Sequence, residues 1–324
     1  MFGALKTSMY ERSHISRHPL RQAAFSGLKT ALWLLGIMIP VSLAVCLLQH
    51  FGYLAVVAGW LQPVCRIVGL RGEAALVWVT AGTMNIYSGI AVIQSIPFTT
   101  REVTIIALMT LIAHSLIVET VVQRKTGSSG IGMLLLRLGA AMAGGLLLNL
   151  LLPPDETAAT QAVAAESRPL GIVLQAWLYG TLTLSLKMIC IIVTLNILQQ
   201  FLQDYGLIDR MARGCAPLMR LMGLAPEASF LWIVANTIGL SYGASVILAN
   251  RSSSTLSPKD TDLLNSHIAV CHSLLEDTPM FLAVHASLFW TTVPRILLAV
   301  AVVWLYRLAM RLFPSRYGHT GSAA

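Results

Sequence analysis

The sequence predicts an all-α, polytopic membrane bundle of about eight to ten transmembrane helices or re-entrant segments, built from two homologous repeats. Three observations predict it. Of 324 residues, 56% are hydrophobic and only 11% are charged, against roughly 25% charged in soluble domains. Long runs carry no charge at all. The second half also repeats, in order, the distinctive residues of the first. A chain this apolar lacks the polar surface to cover a water-soluble core. That excludes a soluble globular enzyme, a disordered chain and a disulfide-rich secreted domain.

Residues 1–27 form a basic segment with Lys6, Arg12, Arg17 and Arg21, and no cleavable leader pattern. Before a first span, such a segment reads as cytoplasmic. Clear spans are expected at 28–48, 73–96, 101–122, 131–152, 171–199, 227–249, 259–285 and 288–312. Each is apolar all round, so length identifies it rather than periodicity. Two weaker segments, Gly52–Gly69 and Gly206–Gly223, are shorter and contain Pro63 and Pro217. They could cross, re-enter or lie at the interface. Residues 153–170 read as an extracytoplasmic linker, with Asp155, Glu156 and Glu166, and 314–324 as a disordered tail.

The chain carries 22 Lys+Arg against 14 Asp+Glu, a net +8. Arg124/Lys125, Arg251/Lys259 and Arg307/Arg311/Arg316 should flank spans on the cytoplasmic side. Eight crossings put the acidic linker inside, against the positive-inside rule. Counting both weak segments as crossings repairs this, with five per half. Asp204 and the Arg210/Arg213 pair fit less cleanly. The five cysteines are scattered, with no CxxC pair, and read as small apolar packing residues.

A shift of 154 positions aligns Ile37–Gly89 with Ile191–Gly243. It matches Gly52/Gly206, Pro63/Pro217, Arg66/Arg220, Trp78/Trp232 and Thr83/Thr237. After a short insertion, a shift of 158 matches His114-Ser115-Leu116 with His272-Ser273-Leu274, Glu119 with Asp277, and Arg137 with Arg295. The repeats are therefore 28–152 and 171–313. An odd number of crossings per repeat inverts one against the other, a recurrent plan for alternating-access carriers. If the weak segments do not cross, the same count gives parallel repeats.

Two constellations could carry chemistry. The first is a polar, glycine-bearing break within an apolar run: Thr80 to Gly89, with Asn85, Tyr87 and Ser88, and Asn236 to Ser245, with Asn236, Thr237, Ser241 and Tyr242. Freed backbone groups in lipid must face protein or a wet cavity. These side chains offer donors and acceptors to a neutral polar ligand; close helix packing through small residues is the plainer reading. The second is an intramembrane histidine followed by carboxylates: His114 with Glu119, and His272 with Glu276 and Asp277. On a continuous helix His272 and Glu276 share a face, whereas His114 and Glu119 point apart. Ionisable groups there should be buried and paired, and Arg137 and Arg295 are the natural partners. Coupling or gating is one role; paired structural charge is the other.

Cys271 and His272 are adjacent, so on a helix they do not make a chelating pair. The sequence reading therefore assigns no metal and no cofactor. No nucleophile elbow, phosphate loop or basic aromatic surface is present, and neither an enzyme nor a nucleic-acid partner is expected.

At Gly69-Leu70-Arg71-Gly72-Glu73-Ala74, Asn85 to Gly89 and His114 to Thr120, with second copies at Gly223 to Ala228, Gly239 to Gly243 and His272 to Thr278, the chain resembles the nucleoside-recognition (Gate) family. That family of bacterial membrane proteins includes spore-maturation proteins. Similar domains occur in concentrative nucleoside carriers and in the membrane part of the ferrous-iron transporter. The resemblance implies a permease-like protein of the bacterial inner membrane for a small polar, nucleoside-like solute. The alternative is a non-transporting partner in an envelope or maturation complex. Expected partners are the bilayer, a polar solute, and a second copy or another membrane protein. The acidic ligand motifs of the full nucleoside carriers and the cytoplasmic GTPase part of the iron transporter have no counterpart in this sequence.

Overall fold

The computed structural model describes residues 19–154, 169–239 and 256–312, and these are helical with short connections. Most of the basic N-terminal segment, the acidic linker and the tail lie outside them. The first half contains α1 (Pro19–His50), α2 (Tyr53–Ile67), α3 (Ala74–Thr83), α4 (Ile86–Ser95), α5 (Thr100–Ile112), α6 (Leu116–Lys125) and α7 (Gly130–Leu151). The second contains α8 (Leu170–Asp204), α9 (Leu207–Leu221), α10 (Ser229–Thr237), α11 (Pro258–Val270), α12 (Asp277–Leu282) and α13 (Leu288–Leu312). Among the described residues, five helical stretches are long and apolar enough to cross a membrane: Leu20–His50, Thr100–Lys125, Gly130–Leu151, Leu170–Asp204 and Leu288–Leu312.

The two longest helices, α1 and α8, pack antiparallel. Trp177 Nε1, early in α8, donates to Ser42 Oγ, late in α1, at 2.8 Å. At the other end Gly27 lets Asn196 and Val193 approach, and a Cβ on it would lie 3.0 Å from both. Ser42 and Asn196 are matched positions of the repeat. Each lies against the early part of the opposite helix, as a two-fold axis across the pair requires.

The run 73–96 does not form the single span that its length predicts. A straight helix would separate residues 77 and 89 by about 18 Å. Instead, Gly89 packs so closely on α3 that a Cβ would sit 2.9 Å from the Ala81 Cβ and 3.5 Å from Val77. The chain reverses at Met84–Asn85. Asn85 caps the returning helix, accepting from the Ser88 amide at 3.0 Å and the Ser88 hydroxyl at 3.2 Å. Each ten-residue arm rises about 15 Å, half of a bilayer core. The result is a re-entrant hairpin. In the second half α10 matches the first arm, and the positions that would match α4 lie outside the described residues.

The run 101–122 is broken but keeps its direction. Arg101 Nη2 donates to Asn149 Oδ1 at 2.6 Å. Gly144 and Gly145 lie against Leu108, Ile112 and Met109, and Gly130 lies against Thr120 and Arg124. Together α5 and α6 therefore run the length of α7, antiparallel to it. In the second half, the α11–α12 pair runs against α13 in the same way: Tyr306 Oη donates to Asp262 Oδ2, and Arg295 Nε to Val270 O at 3.1 Å.

The weak segments form helices of 15 residues, α2 and α9. At about 22 Å they are shorter than the roughly 30 Å core and do not span it. Left-handed Gly52 (φ 77°) and Gly206 (φ 60°) turn the chain into them. Among the described residues the expected five crossings per half are thus corrected to three: α1, α5–α6 and α7, then α8, α11–α12 and α13. The number is still odd, so the repeats are inverted although the weak segments do not cross.

Candidate functional site

The centre of the molecule is made where the two broken spans meet. Helix α5 ends at Ile112, and Ser115 takes a left-handed conformation (φ 43°) before α6 begins. The break frees carbonyls that in an apolar interior would each cost about 1–3 kcal/mol if left bare. Arg137, fully buried on α7, collects them: Nε donates to Ile112 O at 2.8 Å and Nη2 to His114 O at 2.7 Å. The second half repeats this residue for residue. Ser273 is left-handed (φ 49°), and buried Arg295 donates to Val270 O and His272 O. Each break is also tied to a hairpin arm, since Ser115 N donates to Ala81 O at 2.8 Å and Ser273 N to Ala235 O at 2.9 Å.

These breaks correct two expectations drawn from continuous helices. His114 and Glu119 do not point apart: α6 swings Glu119 back, placing Oε1 3.0 Å from His114 Nε2. His272 and Glu276 do not share a helix face, because the chain between Val270 and Asp277 is a turn. Glu276 instead approaches Gly239 at the end of α10, where a Cβ would lie 3.1 Å from its Oε2. His272 Nε2 reaches across to Glu119 Oε2 at 3.2 Å, and Asp277 Oδ2 lies 3.3 Å from His114 Nε2. The imidazole centroids are 5.3 Å apart. Arg137 Nη2 pairs with Glu119 Oε2 at 2.8 Å, as expected of an intramembrane arginine. Arg295 has no carboxylate within ion-pair distance among the described residues. All of these side chains except Glu276 are buried.

The polar-break residues divide. Asn85 and Ser88 bond to each other and hold the first hairpin tip. Ser115 Oγ donates to Met84 O at 3.4 Å, so that tip borders the first break, and Tyr87 packs half-buried against the core. Asn236 Nδ2 donates to Trp232 O at 2.9 Å and Thr237 Oγ1 to Ile233 O at 2.7 Å. The buried Asn236 Oδ1 has no hydrogen-bond partner among the described residues. Ser241 and Tyr242 lie outside the described residues.

Sequence reasoning missed a polar clasp between the halves. Ser128 Oγ donates to Asp262 Oδ1 at 2.5 Å, and Asn265 Nδ2 donates to Thr126 Oγ1 at 2.9 Å and Ser128 Oγ at 2.8 Å. None of these residues is matched in the repeat by its own kind, so the internal alignment gave no signal for them.

The family model for Gate, nucleoside recognition, matches residues 31–129 and 185–302. The chain belongs to the Gate family. The two matched stretches fall one in each repeat, and each contains one broken span with its histidine and carboxylate; Arg295 lies within the second stretch, and Arg137 just beyond the end of the first. The chain is also similar to the uncharacterized membrane protein YvoD of Bacillus subtilis (strain 168), with 33% identity over 286 residues, covering 84% of this chain and 91% of the relative. No solved structure matches. Family membership and five long apolar helices make this Gate protein a multi-pass membrane protein.

Proposed function

We propose that this Gate protein is a permease-like carrier of the bacterial inner membrane for a small polar solute of nucleoside-like chemistry. The observation that carries the reading is the shared centre: two inverted broken spans place His114, Glu119, His272 and Asp277 together, and a hairpin arm touches each break. Inverted repeats around a midplane site are the plan by which one half exchanges roles with the other. The first hairpin tip, with Tyr87, and Asn236 near the end of α10 supply polar groups for a solute. The His–carboxylate groups couple or gate, because a change of charge there alters contacts between the halves.

The orientation follows from charge. With the N-terminal segment inside, three crossings per half place Arg124 and Lys125, α9 with Arg210, Arg213 and Arg220, then Lys259, Arg307 and Arg311 on the cytoplasmic side. The acidic linker falls outside. The Arg210/Arg213 pair, which five crossings per half left unexplained, now fits. Two arginines on the other side are held by protein groups: Arg71 pairs with Glu102 at 2.8 Å, and Arg101 bonds to Asn149.

The test is uptake by purified protein in sealed proteoliposomes, across nucleosides and other small polar solutes. The reading expects flux of at least one solute and its loss in Asp277→Asn. Equal flux of every solute in both proteins removes the coupling role. No flux above empty vesicles removes the carrier reading.

A further inference from the structure

We propose that His114, His272 and Asp277 form a binding site for one first-row divalent metal ion of the zinc type, held at the axis between the two repeats. The inference shares its residues with the carrier reading but does not rest on it, because binding is read on purified protein without any flux.

The first support is the state of the imidazoles. His114 Nδ1 lies 3.0 Å from Thr110 O, and His272 Nδ1 lies 2.7 Å from Ile268 O. A carbonyl only accepts, so each Nδ1 carries the proton. That leaves Nε2 of each ring turned toward the centre, as the atom that either carries a second proton or offers its lone pair to a metal. A second-sphere carbonyl on one ring nitrogen, with the other nitrogen free, is the usual arrangement of a metal-ligating histidine.

The second support is what these lone pairs face. His114 Nε2 meets Glu119 Oε1 at 3.0 Å and Asp277 Oδ2 at 3.3 Å, and His272 Nε2 meets Glu119 Oε2 at 3.2 Å. With neutral rings, each of these contacts sets acceptor against acceptor. Such a centre needs positive charge within it. Three carboxylates, Glu119, Glu276 and Asp277, also outnumber the two guanidiniums, Arg137 and Arg295. Arg137 already neutralises Glu119 at 2.8 Å, leaving Asp277 as the available anion.

Geometry supplies the third support. One ligand atom from each of His114, His272 and Asp277 lies within 4.8 Å of the other two. Ligands about 2.0–2.1 Å from a tetrahedral ion are separated by roughly 3.3–3.4 Å. The His114–Asp277 distance is already there, and the other edges need contraction only. Two imidazoles and a carboxylate select a borderline ion over calcium or magnesium, which prefer all-oxygen sites. The sequence reading weighed Cys271 beside His272 and found no chelate. The fold brings together a different set, from both halves.

The alternative occupant is the proton, with imidazolium rings bonded to the carboxylates, and the experiment separates the two. Purified full-length protein in detergent is stripped with chelator, dialysed against Zn2+ or Co2+, and assayed for metal per chain. The proposal expects about one ion per chain, proton release on binding that grows at lower pH, and visible tetrahedral Co2+ bands. It expects at least a tenfold weaker affinity in His114→Gln, His272→Gln and Asp277→Asn, with no change in His50→Gln. X-ray absorption of the zinc-loaded wild type needs no variant to fold, and should show two imidazole nitrogens near 2.0–2.1 Å. Absence of stoichiometric binding, or a bound ion without imidazole scattering, overturns the metal and leaves the proton.

Discussion

The two halves build the same break but finish it differently. In both, an arginine from the closing helix takes the carbonyls three and one residues before the left-handed serine: Arg137 on Ile112 and His114, Arg295 on Val270 and His272. Only in the first does the carboxylate close on its own arginine and histidine. Glu119 pairs with Arg137 and His114, whereas Asp277, one methylene shorter, contacts His114 of the opposite half. What the halves share is the arginine–carbonyl clamp, and its duty is structural. What differs is the carboxylate, and that places the capacity to switch on Glu119 and Asp277.

The largest test of this division is loss of the clamp. Arg137→Met bares two carbonyls and leaves Glu119 without its cation, and should destabilise by about 3–5 kcal/mol. Arg295→Met bares carbonyls only and should cost less, about 2–3 kcal/mol. Thermal unfolding in detergent gives the order. Equal losses would mean that the Arg137–Glu119 pair is not what separates the halves.

A middle-sized effect is expected at the hairpin. Gly89→Leu drives a side chain into Ala81 and Val77, where even a Cβ is too close, and should cost about 1–3 kcal/mol. Gly36→Leu, on α1 where nothing lies within 4 Å of a Cβ, is the control and should be near neutral. A lesser change at Gly89 than at Gly36 would mean that α3 and α4 do not pack as a hairpin.

The smallest effects belong to α2 and α9, matched in sequence and in what they bury but different in what they expose. Both bury the matched positions, Leu54, Ala58 and Cys65 on α2 and Ile208, Ala212 and Met219 on α9, but α2 exposes Tyr53, Val56, Trp60 and Val64 where α9 exposes Arg210, Arg213 and Arg220. Arg210→Ala and Arg213→Ala should leave stability within about 0.5 kcal/mol. They should weaken binding of the α9 face of the reconstituted protein to anionic lipid, read as reduced salt-sensitive retention of anionic lipid on purification. Trp60→Ala should leave that retention unchanged.

The membrane class, the repeat and the arginine–histidine–carboxylate sets were legible because composition and matched rare residues do not depend on geometry. The hairpin was not. Residues 73–96 are as apolar as a spanning helix, and the reversal at Met84–Asn85 depends on Gly89 meeting Ala81, a contact that spacing alone cannot show. The same blindness set His114 and Glu119 apart. Their facing requires the break at Ser115, and a serine in an apolar run looks like a small packing residue. Contacts across the halves, His114 with Asp277 and His272 with Glu119, are 163 and 153 positions apart in the chain, and no local pattern reports them.

The central claim is that two inverted repeats meet at one buried centre, and the sidedness of α2 and α9 tests it most directly. Arg66 and Arg220 are matched and exposed, one on each helix. In a background with the five native cysteines replaced, Arg66→Cys and Arg220→Cys are labelled with a membrane-impermeant thiol reagent on sealed vesicles of known orientation. The account predicts that the two positions react from opposite sides, position 66 from outside and position 220 from the cytoplasmic face. Reaction of both from the same side would contradict it.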